Sequence, residues 1–471
     1  MRRVLFMFRR WSLRKLILIV AVLLMLITIA FTLTSNPYYR NAVYEQYNSA
    51  INPWPSNQQS EVSTDAGIAH DGPYEMHDDE TLNSIFQRLE TPLYDDVSDD
   101  NIKKQSAKNL KLYNDIMSVE IDEPKVDNLV RYDDENYERA SATILSLVRN
   151  KDLMKILPVI DQLETKFNSK FGYPYTFLND EEFTEEFKKG IRNYLPNDRV
   201  VNFGKIDDKD WNMPEDIDVD KYEKEMDKLE NEKVGYVKLT SYHNMCRFYS
   251  RKFYHHPLLK DYKYTWRIEP DVNFYCNIDY DIFKFMELND KVYGFVLNLY
   301  DSPQSVRSLW TYTMEFLREN PNYINKNGAF EWLKENLQQN KNFEITSGYS
   351  TCHFWTNFEI NDLDFLRSEA YEKYMDFLES KQGFYYERWG DAPVRSLALA
   401  LFADKSKIHW FRDIGYHHQP YTNCPKCPPD SKKCDGRCVP GKFTPWDNLN
   451  TQNCQATWIE HVMTEEDLAL Y

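Results

Sequence analysis

Ala142-Thr143-Ile144-Leu145-Ser146-Leu147-Val148 is an unbroken β-branched and apolar run, the composition of a strand buried on both faces. It stops at Arg149-Asn150, and Leu153, Ile156, Leu157, Ile160, Leu163 and Phe167 then recur at helical spacing. Tyr173-Pro174-Tyr175-Thr176-Phe177-Leu178 predicts a second strand, so the segment opens a β-α-β unit. In open α/β sheets ligands gather beyond the carboxyl ends of strands. Arg149 is therefore a candidate clamp for a nucleotide pyrophosphate, with an ordinary surface arginine as the other reading. Further along, Leu366, Ala370, Tyr374 and Phe377 predict a helix. A loop from Gly383 to Pro393, a helical run from Arg395 to Phe402 and a short strand over Lys407-Ile408-His409-Trp410-Phe411 follow it. The fold class is α/β, with no internal repeat.

Trp266-Arg267-Ile268-Glu269-Pro270-Asp271-Val272 sets two carboxylates either side of a proline at what reads as a strand end. Proline fixes its own φ and pushes Glu269 towards an extended conformation, so the acids project from a stiff corner. Hard oxygen ligands so placed suit Mg²⁺ or Mn²⁺ bridging a diphosphate; a turn of solvated acids is the plainer alternative. Three further stretches accompany this one. They are Ser241-Tyr242-His243-Asn244-Met245-Cys246-Arg247-Phe248, Cys352-His353-Phe354-Trp355-Thr356-Asn357-Phe358-Glu359-Ile360 and Glu387-Arg388-Trp389-Gly390-Asp391-Ala392-Pro393-Val394. In this order, and running from about Ala142 through Tyr416-His417-His418-Gln419-Pro420, they resemble the fungal α-1,2-mannosyltransferases of glycosyltransferase family fifteen.

The resemblance implies a type A glycosyltransferase fold, with a mixed central sheet on a nucleotide-binding α/β half. It implies transfer of mannose from GDP-mannose to a mannoside hydroxyl in N-linked or O-linked glycans, with retention at the anomeric carbon. Glu269 would be the metal-ligating acid and His418 its imidazole partner, although His417 next door leaves a one-residue ambiguity. Imidazole beside carboxylate and phosphate oxygens suits Mn²⁺ better than Ca²⁺. Asp271 is near enough in sequence to act through a water. Glu359 matches the acid assigned as nucleophile or as stabiliser of an oxocarbenium-like centre, and both a double displacement and a front-face substitution stay open. Asp391 is the candidate for binding or deprotonating the acceptor hydroxyl, its alternative being an N-cap. Tyr242 falls on a family site tyrosine, and Arg247 would bind phosphate or serve structure.

Two departures from the family pattern bear on the acceptor. The loop before the S-Y motif reads Gly235-Tyr236-Val237-Lys238-Leu239-Thr240 where many members have a glycine pair. Tyr249-Ser250-Arg251-Lys252 replaces their N-S-G, and the segment from Asn320 to Thr346 is longer than expected. Transfer of mannose 1-phosphate and non-catalytic mannoside binding are the alternative functions.

Leu16 to Leu33 has no charge and no proline, close to the ~20 residues that cross a bilayer core. Arg2, Arg3, Arg9, Arg10, Arg14 and Lys15 precede it, so the positive-inside bias leaves 1–15 cytosolic, 16–34 as signal anchor and the rest lumenal. A cleaved signal peptide is the rival reading. The family resemblance makes the compartment the Golgi. Residues 35–135 are expected to be a stem, since stretches such as Asp95-Asp96-Val97-Ser98-Asp99-Asp100 carry little apolar surface, with Ile85, Phe86, Leu89 and Leu93 available for docking. The catalytic part is expected over 136–471. A net charge of −17 argues against a nucleic-acid partner. Eight cysteines beyond the span favour disulfides in an oxidising compartment over a Zn²⁺ site at Cys424, Cys427, Cys434 and Cys438.

Overall fold

Two amphipathic helices, α1 (Asp79–Glu90) and α2 (Asp99–Met117), begin the described part of this computed structural model. It describes residues 77–126, 132–428, 431–444 and 452–471; the expected tail and anchor and the whole segment from 35 to 76 lie outside them. Among the described residues no helix is long and apolar enough to cross a membrane. The chain divides into units at 1–72 and 73–471, and every described residue belongs to the second.

Within the segment expected to be a stem, residues 77–126 carry both of these helices. Helix α1 buries Ile85 and Leu89, is capped by Asp78 accepting from the Thr81 amide, and is clamped by Arg88, whose Nε and Nη2 donate to Glu331 at 2.9 and 2.6 Å. Asn336 exchanges two 2.9 Å hydrogen bonds with the backbone of Tyr94. Helix α2 buries Tyr113 and Met117 together with Gln105 and Asn109, and Gln105 Nε2 donates to Glu460 at 2.6 Å. The acidic stretch from Asp95 to Asp100 leads into α2, with Asp99 and Asp100 in its first turn, where carboxylates favour the helix dipole.

The thirteen strands among the described residues are β1 (Ala142–Leu147), β2 (Tyr175–Asn179), β3 (Val201–Lys205), β4 (Tyr264–Arg267), β5 (Asn273–Phe274), β6 (Tyr293–Phe295), β7 (Asn298–Tyr300), β8 (Cys352–Phe354), β9 (Glu359–Asp362), β10 (Ile408–Trp410), β11 (Tyr416–His418), β12 (Tyr421–Cys424) and β13 (Lys442–Thr444). The main sheet has the order β10-β6-β9-β4-β1-β2-β3. Parallel pairing joins β3, β2, β1 and β4, and β10 to β6; β9 alone runs against its neighbours β4 and β6. Helix α3 (Leu153–Leu163) is the crossover from β1 to β2, as the sequence spacing predicts. The strand order turns between β1 and β4, the place where open sheets bind ligands. Because β9 is reversed, its first residue lies at the same edge as the last residue of β4.

A second, antiparallel sheet, β13-β12-β11-β5, stands on the corner that follows β4, and β7 pairs with β8. Three helices complete the site: α4 (Thr240–Arg251), α5 (Glu369–Lys381) and α6 (Asp391–Phe402). Helix α6 begins four residues earlier than its apolar pattern predicts, and it is buried from Asp391 through Leu401. Trp266, Trp332, Trp389 and Trp458 are wholly enclosed, so many of the chain's aromatics are core. Cys352 pairs with Cys454 and Cys424 with Cys438, while Cys434 lies against both Cys276 and Cys427.

Glu335 ties the docked N-terminal helices to a pH dependence. Its carboxylate accepts from the amides of Leu337 and Gln338 at 2.8 and 3.2 Å, and burial pushes its pKa up from 4.5 to about 7. The folded chain thus holds a proton that the unfolded chain has released between those values, so stability declines as pH rises through that window. Glu335→Gln should remove this slope between about pH 4.5 and 7 in thermal unfolding of the protein; an unchanged slope would place the titration elsewhere.

Candidate active site

The site is organised by a cation. Arg267 ends β4, and in the antiparallel ladder it lies directly opposite Glu359, the first residue of β9. Its guanidinium is buried against the Tyr249 ring, 3.5 Å from the centroid. Nη1 donates to Asp391 Oδ2 at 2.6 Å and lies 3.7 Å from Glu359 Oε1, while Nε donates to Glu269 Oε1 at 3.0 Å and Nη2 donates to the same oxygen. Burial alone would lower the guanidinium pKa; Glu269 and Asp391 more than offset this and hold it charged. Three carboxylates from a strand end, a reversed strand and a helix start thus share one arginine, which leaves net negative charge at the sheet edge.

Each carboxylate is held differently. Glu359 is 0% exposed; Oε2 accepts from Tyr293 Oη at 3.3 Å and Oε1 has no hydrogen-bond partner. Burial raises its pKa, against the pull of Arg395 and Arg267. Asp391 accepts from Thr356 Oγ1 at 2.8 Å as well as from Arg267. The N-cap position of α6 is Gly390, so Asp391 does not serve as the cap that its sequence position allows. Glu269 is partly exposed and turns Oε2 towards His418 Nε2, 3.9 Å away.

The second sheet resolves the histidine ambiguity by its alternation. His418 Nδ1 lies 3.2 Å from the Gln419 carbonyl, which leaves Nε2 as the ring nitrogen directed towards Glu269. The Trp355 ring meets the imidazole edge-on at 4.7 Å. His417 turns the other way, bonding Thr422 Oγ1 at 2.8 Å and stacking on Tyr275, and burial lowers its pKa. One carboxylate oxygen and one imidazole nitrogen, facing each other at a solvent-accessible edge, form a donor set that fits a Mn²⁺ ion. Asp271 takes a left-handed backbone conformation, φ +70°, and its side chain is exposed and paired with Lys155 at 2.9 Å.

Tyr242 lies between the Tyr236 ring, stacked at 4.9 Å, and Arg388, whose Nη1 donates to its hydroxyl at 3.2 Å; burial raises the phenol pKa. Arg388 also reaches Asp301 at 3.4 Å, and its buried Nε has no hydrogen-bond partner. Arg149 stands past the end of β1 with Nε on Asp152 at 2.8 Å, exposed to solvent. Arg247, read as a phosphate ligand or a structural partner, makes structural contacts: it is buried on Glu379 at 2.6 Å and on the carbonyls of Asp210 and Asn212, tying α4 to α5. Arg267 and Arg388 are absent from the residues singled out by sequence. The signal was the arginine in an otherwise buried strand two places before Glu269, since a buried charge requires partners.

The profile of the glycolipid 2-α-mannosyltransferase family matches residues 96–463. The chain belongs to that family, glycosyltransferase family fifteen. Probable mannosyltransferase KTR4 of Saccharomyces cerevisiae is 61% identical over 454 residues, 95% of this chain and 97% of its own length. Alpha-1,2 mannosyltransferase KTR1 of the same yeast is 40% identical, across 69% of this chain and 82% of its own. The X-ray structure of Ktr4p from S. cerevisiae in complex with GDP superposes with a TM-score of 0.82 at 66% identity, covering 84% of this chain and 100% of the other. Core-mannan synthase A of Aspergillus fumigatus, in its Mn/GDP form, superposes at 0.70 with 44% identity, covering 74% and 93%. The mixed α/β sheet is thus the family's own architecture.

The position of Arg247 yields a test. Arg247→Ala should lower stability by about 2 kcal/mol, because it takes from partly buried Glu379 its 2.6 Å partner and leaves only Arg251 at 3.8 Å, while GDP affinity of the folded protein stays unchanged. A selective loss of GDP binding at unchanged melting temperature would return Arg247 to the phosphate site.

Proposed function

We infer that this chain is a GDP-mannose-dependent α-1,2-mannosyltransferase acting on a mannoside hydroxyl with retention. The observation that carries the reading is the convergence of Glu269, Glu359 and Asp391 on Arg267 beside His418, at the sheet edge where α/β folds bind nucleotides. The GDP complex of Ktr4p and the Mn/GDP form of core-mannan synthase A support the same donor and metal for a chain this similar.

Glu269 and His418 would hold Mn²⁺, which when bound neutralises charge on the departing diphosphate. Arg267 fixes Glu269 through Oε1, so that Oε2 is the oxygen presented outward. Asp391, oriented by Arg267 and Thr356, is placed to accept a hydrogen bond from the acceptor hydroxyl and to draw off its proton. Glu359 supplies negative charge from a sealed position. Its complete enclosure favours stabilisation of developing positive charge at the anomeric carbon over direct attack, and hence a front-face substitution. Trp355, partly buried beside His418, is proposed to meet a sugar ring, while Tyr242 is held between Tyr236 and Arg388. Arg149, exposed past the end of β1, remains a pyrophosphate clamp in this proposal, and Asp271 orders the corner through Lys155.

The protein is proposed to be a single-pass type II Golgi membrane protein with 16–34 as its anchor. The basic residues before the span and the paired cysteines of the body support a lumenal catalytic part.

Glu269→Gln should weaken Mn²⁺-dependent GDP binding by about tenfold or more, along with turnover. Glu359→Gln should leave that binding intact and lower turnover about 10²-fold. Calorimetry with GDP and Mn²⁺ beside initial rates separates the two; a Glu359→Gln protein that folds but no longer binds GDP would refute the division of roles. Linkage analysis of the product checks the reaction itself, since phosphorus retained from labelled donor would mean mannosylphosphate transfer. Removal of residues 1–36 should release a soluble, active enzyme into the medium, and a secreted but inert product would make the segment part of the catalytic unit.

A further inference from the structure

Eight cysteines are present, and the way they sort leaves an odd number in one place. Cys246 is buried and free, far in sequence from the others that pair. Cys352 with Cys454, and Cys424 with Cys438, form two separate bridges. The remaining three, Cys276, Cys427 and Cys434, hold their sulfurs within 4.8 Å of one another. Cys434 lies beside both of the others, and three sulfurs can make only one disulfide among themselves. One bridge must therefore be shared among three sulfurs, with a thiol left beside it.

The surroundings say which sulfur plays which part. Cys276 is fully enclosed, whereas Cys427 and Cys434 are half-buried. The Cys276–Cys434 bridge joins residues 158 apart and Cys427–Cys434 joins residues 7 apart, so the two isomers tie very different lengths of chain. The backbone supports the first: Asn277 donates to the Lys433 carbonyl at 2.6 Å and Asp435 to the Tyr275 carbonyl at 2.9 Å, holding positions 276 and 434 side by side. The resting bridge is then Cys276–Cys434, and Cys427 is the thiol that solvent can reach.

We propose that Cys276, Cys427 and Cys434 form a thiol–disulfide exchange site, with Cys427 as nucleophile, Cys434 as the shared central sulfur and Cys276 as the leaving thiol. The Cys427 thiol gives up its proton and its thiolate attacks Cys434 Sγ. The Cys427–Cys434 bond forms, the Cys276–Cys434 bond breaks, and the departing Cys276 thiolate takes up a proton. No electrons are gained or lost overall, so the step needs no oxidant. Cys276 Sγ packs against Gly415, the residue before β11, where any added side-chain carbon would collide with it. The exchange thus adds or removes a covalent tie at the root of the strand that carries His418.

The test maps the pairing in the full-length protein, purified without reductant, quenched in acid, labelled with N-ethylmaleimide and digested without reduction for mass spectrometry. Freshly quenched protein should show Cys276–Cys434 with the label on Cys427. Incubation at about pH 8, where thiols ionise, should produce a second population with Cys427–Cys434 and the label on Cys276. Cys427→Ser should keep the first bridge and lose the second population altogether, and Cys276→Ser should give Cys427–Cys434 alone, Mn²⁺-dependent GDP binding serving as the check that each variant folds. Should Cys276→Ser fail to fold, the wild-type time course and Cys427→Ser decide the matter. A single pairing that does not change on incubation, one stoichiometric zinc ion with all three thiols protected, or Cys427 bridged to another chain would each overturn the proposal.

Discussion

A guanidinium with no route to water sets the terms for this fold. Arg267 is 3% exposed, and an ion in that position is tolerable only when its partners are fixed around it. Removing one partner from such a group typically costs about 3–5 kcal/mol, a large part of a domain's net stability. The partners come from the corner after β4, from the first residue of β9 and from the first residue of α6. Three segments distant in sequence are thereby locked to one point, and the locking groups are the ones proposed to do the chemistry. Stability and reactivity share the same four side chains.

The reversed strand is the topological counterpart of that arrangement. In a wholly parallel sheet the residue opposite the end of β4 would be another strand's last residue, feeding a loop. With β9 reversed, the opposite residue is a strand's first, pinned between β4 and β6 on both sides. Glu359 therefore sits in a ladder rather than on a flexible connection, and its charge is positioned to the precision of backbone hydrogen bonds. The antiparallel sheet above the corner plays the matching part for His418, since β11 pairs with β5, which directly follows the turn carrying Glu269.

How much of this was legible beforehand divides along physical lines. The β-α-β opening was readable because strand β1 is buried on both faces and so carries a continuous apolar signal. The acids and histidine were readable because the motifs surrounding them are distinctive. The docking stripe of α1 was readable at Ile85 and Leu89, but α2 was not, because it buries Gln105 and Asn109 along with Tyr113 and Met117, and a polar residue satisfied by a distant partner gives no periodic signal. The hub role of Arg267 was hidden for a related reason: its partners lie 2, 92 and 124 residues downstream at 269, 359 and 391, and sequence spacing cannot show that a reversed strand brings them together. Arg247 stayed open between phosphate and structure, since a motif arginine reads the same whether it meets a phosphate or Glu379.

The antiparallel register has a consequence for how such a chain can change. Successive side chains of β9 point to opposite faces, so adding or deleting a single residue between Asn357 and Asp362 would turn the carboxylate away from Arg267 and present Phe358 or Ile360 instead. Loops elsewhere on the surface tolerate insertions at small cost. Here a change of length by one, with every functional residue still present in the sequence, would erase the charge at the reacting centre and strand a buried arginine. Length between these positions is as much a part of the catalytic apparatus as the acid itself.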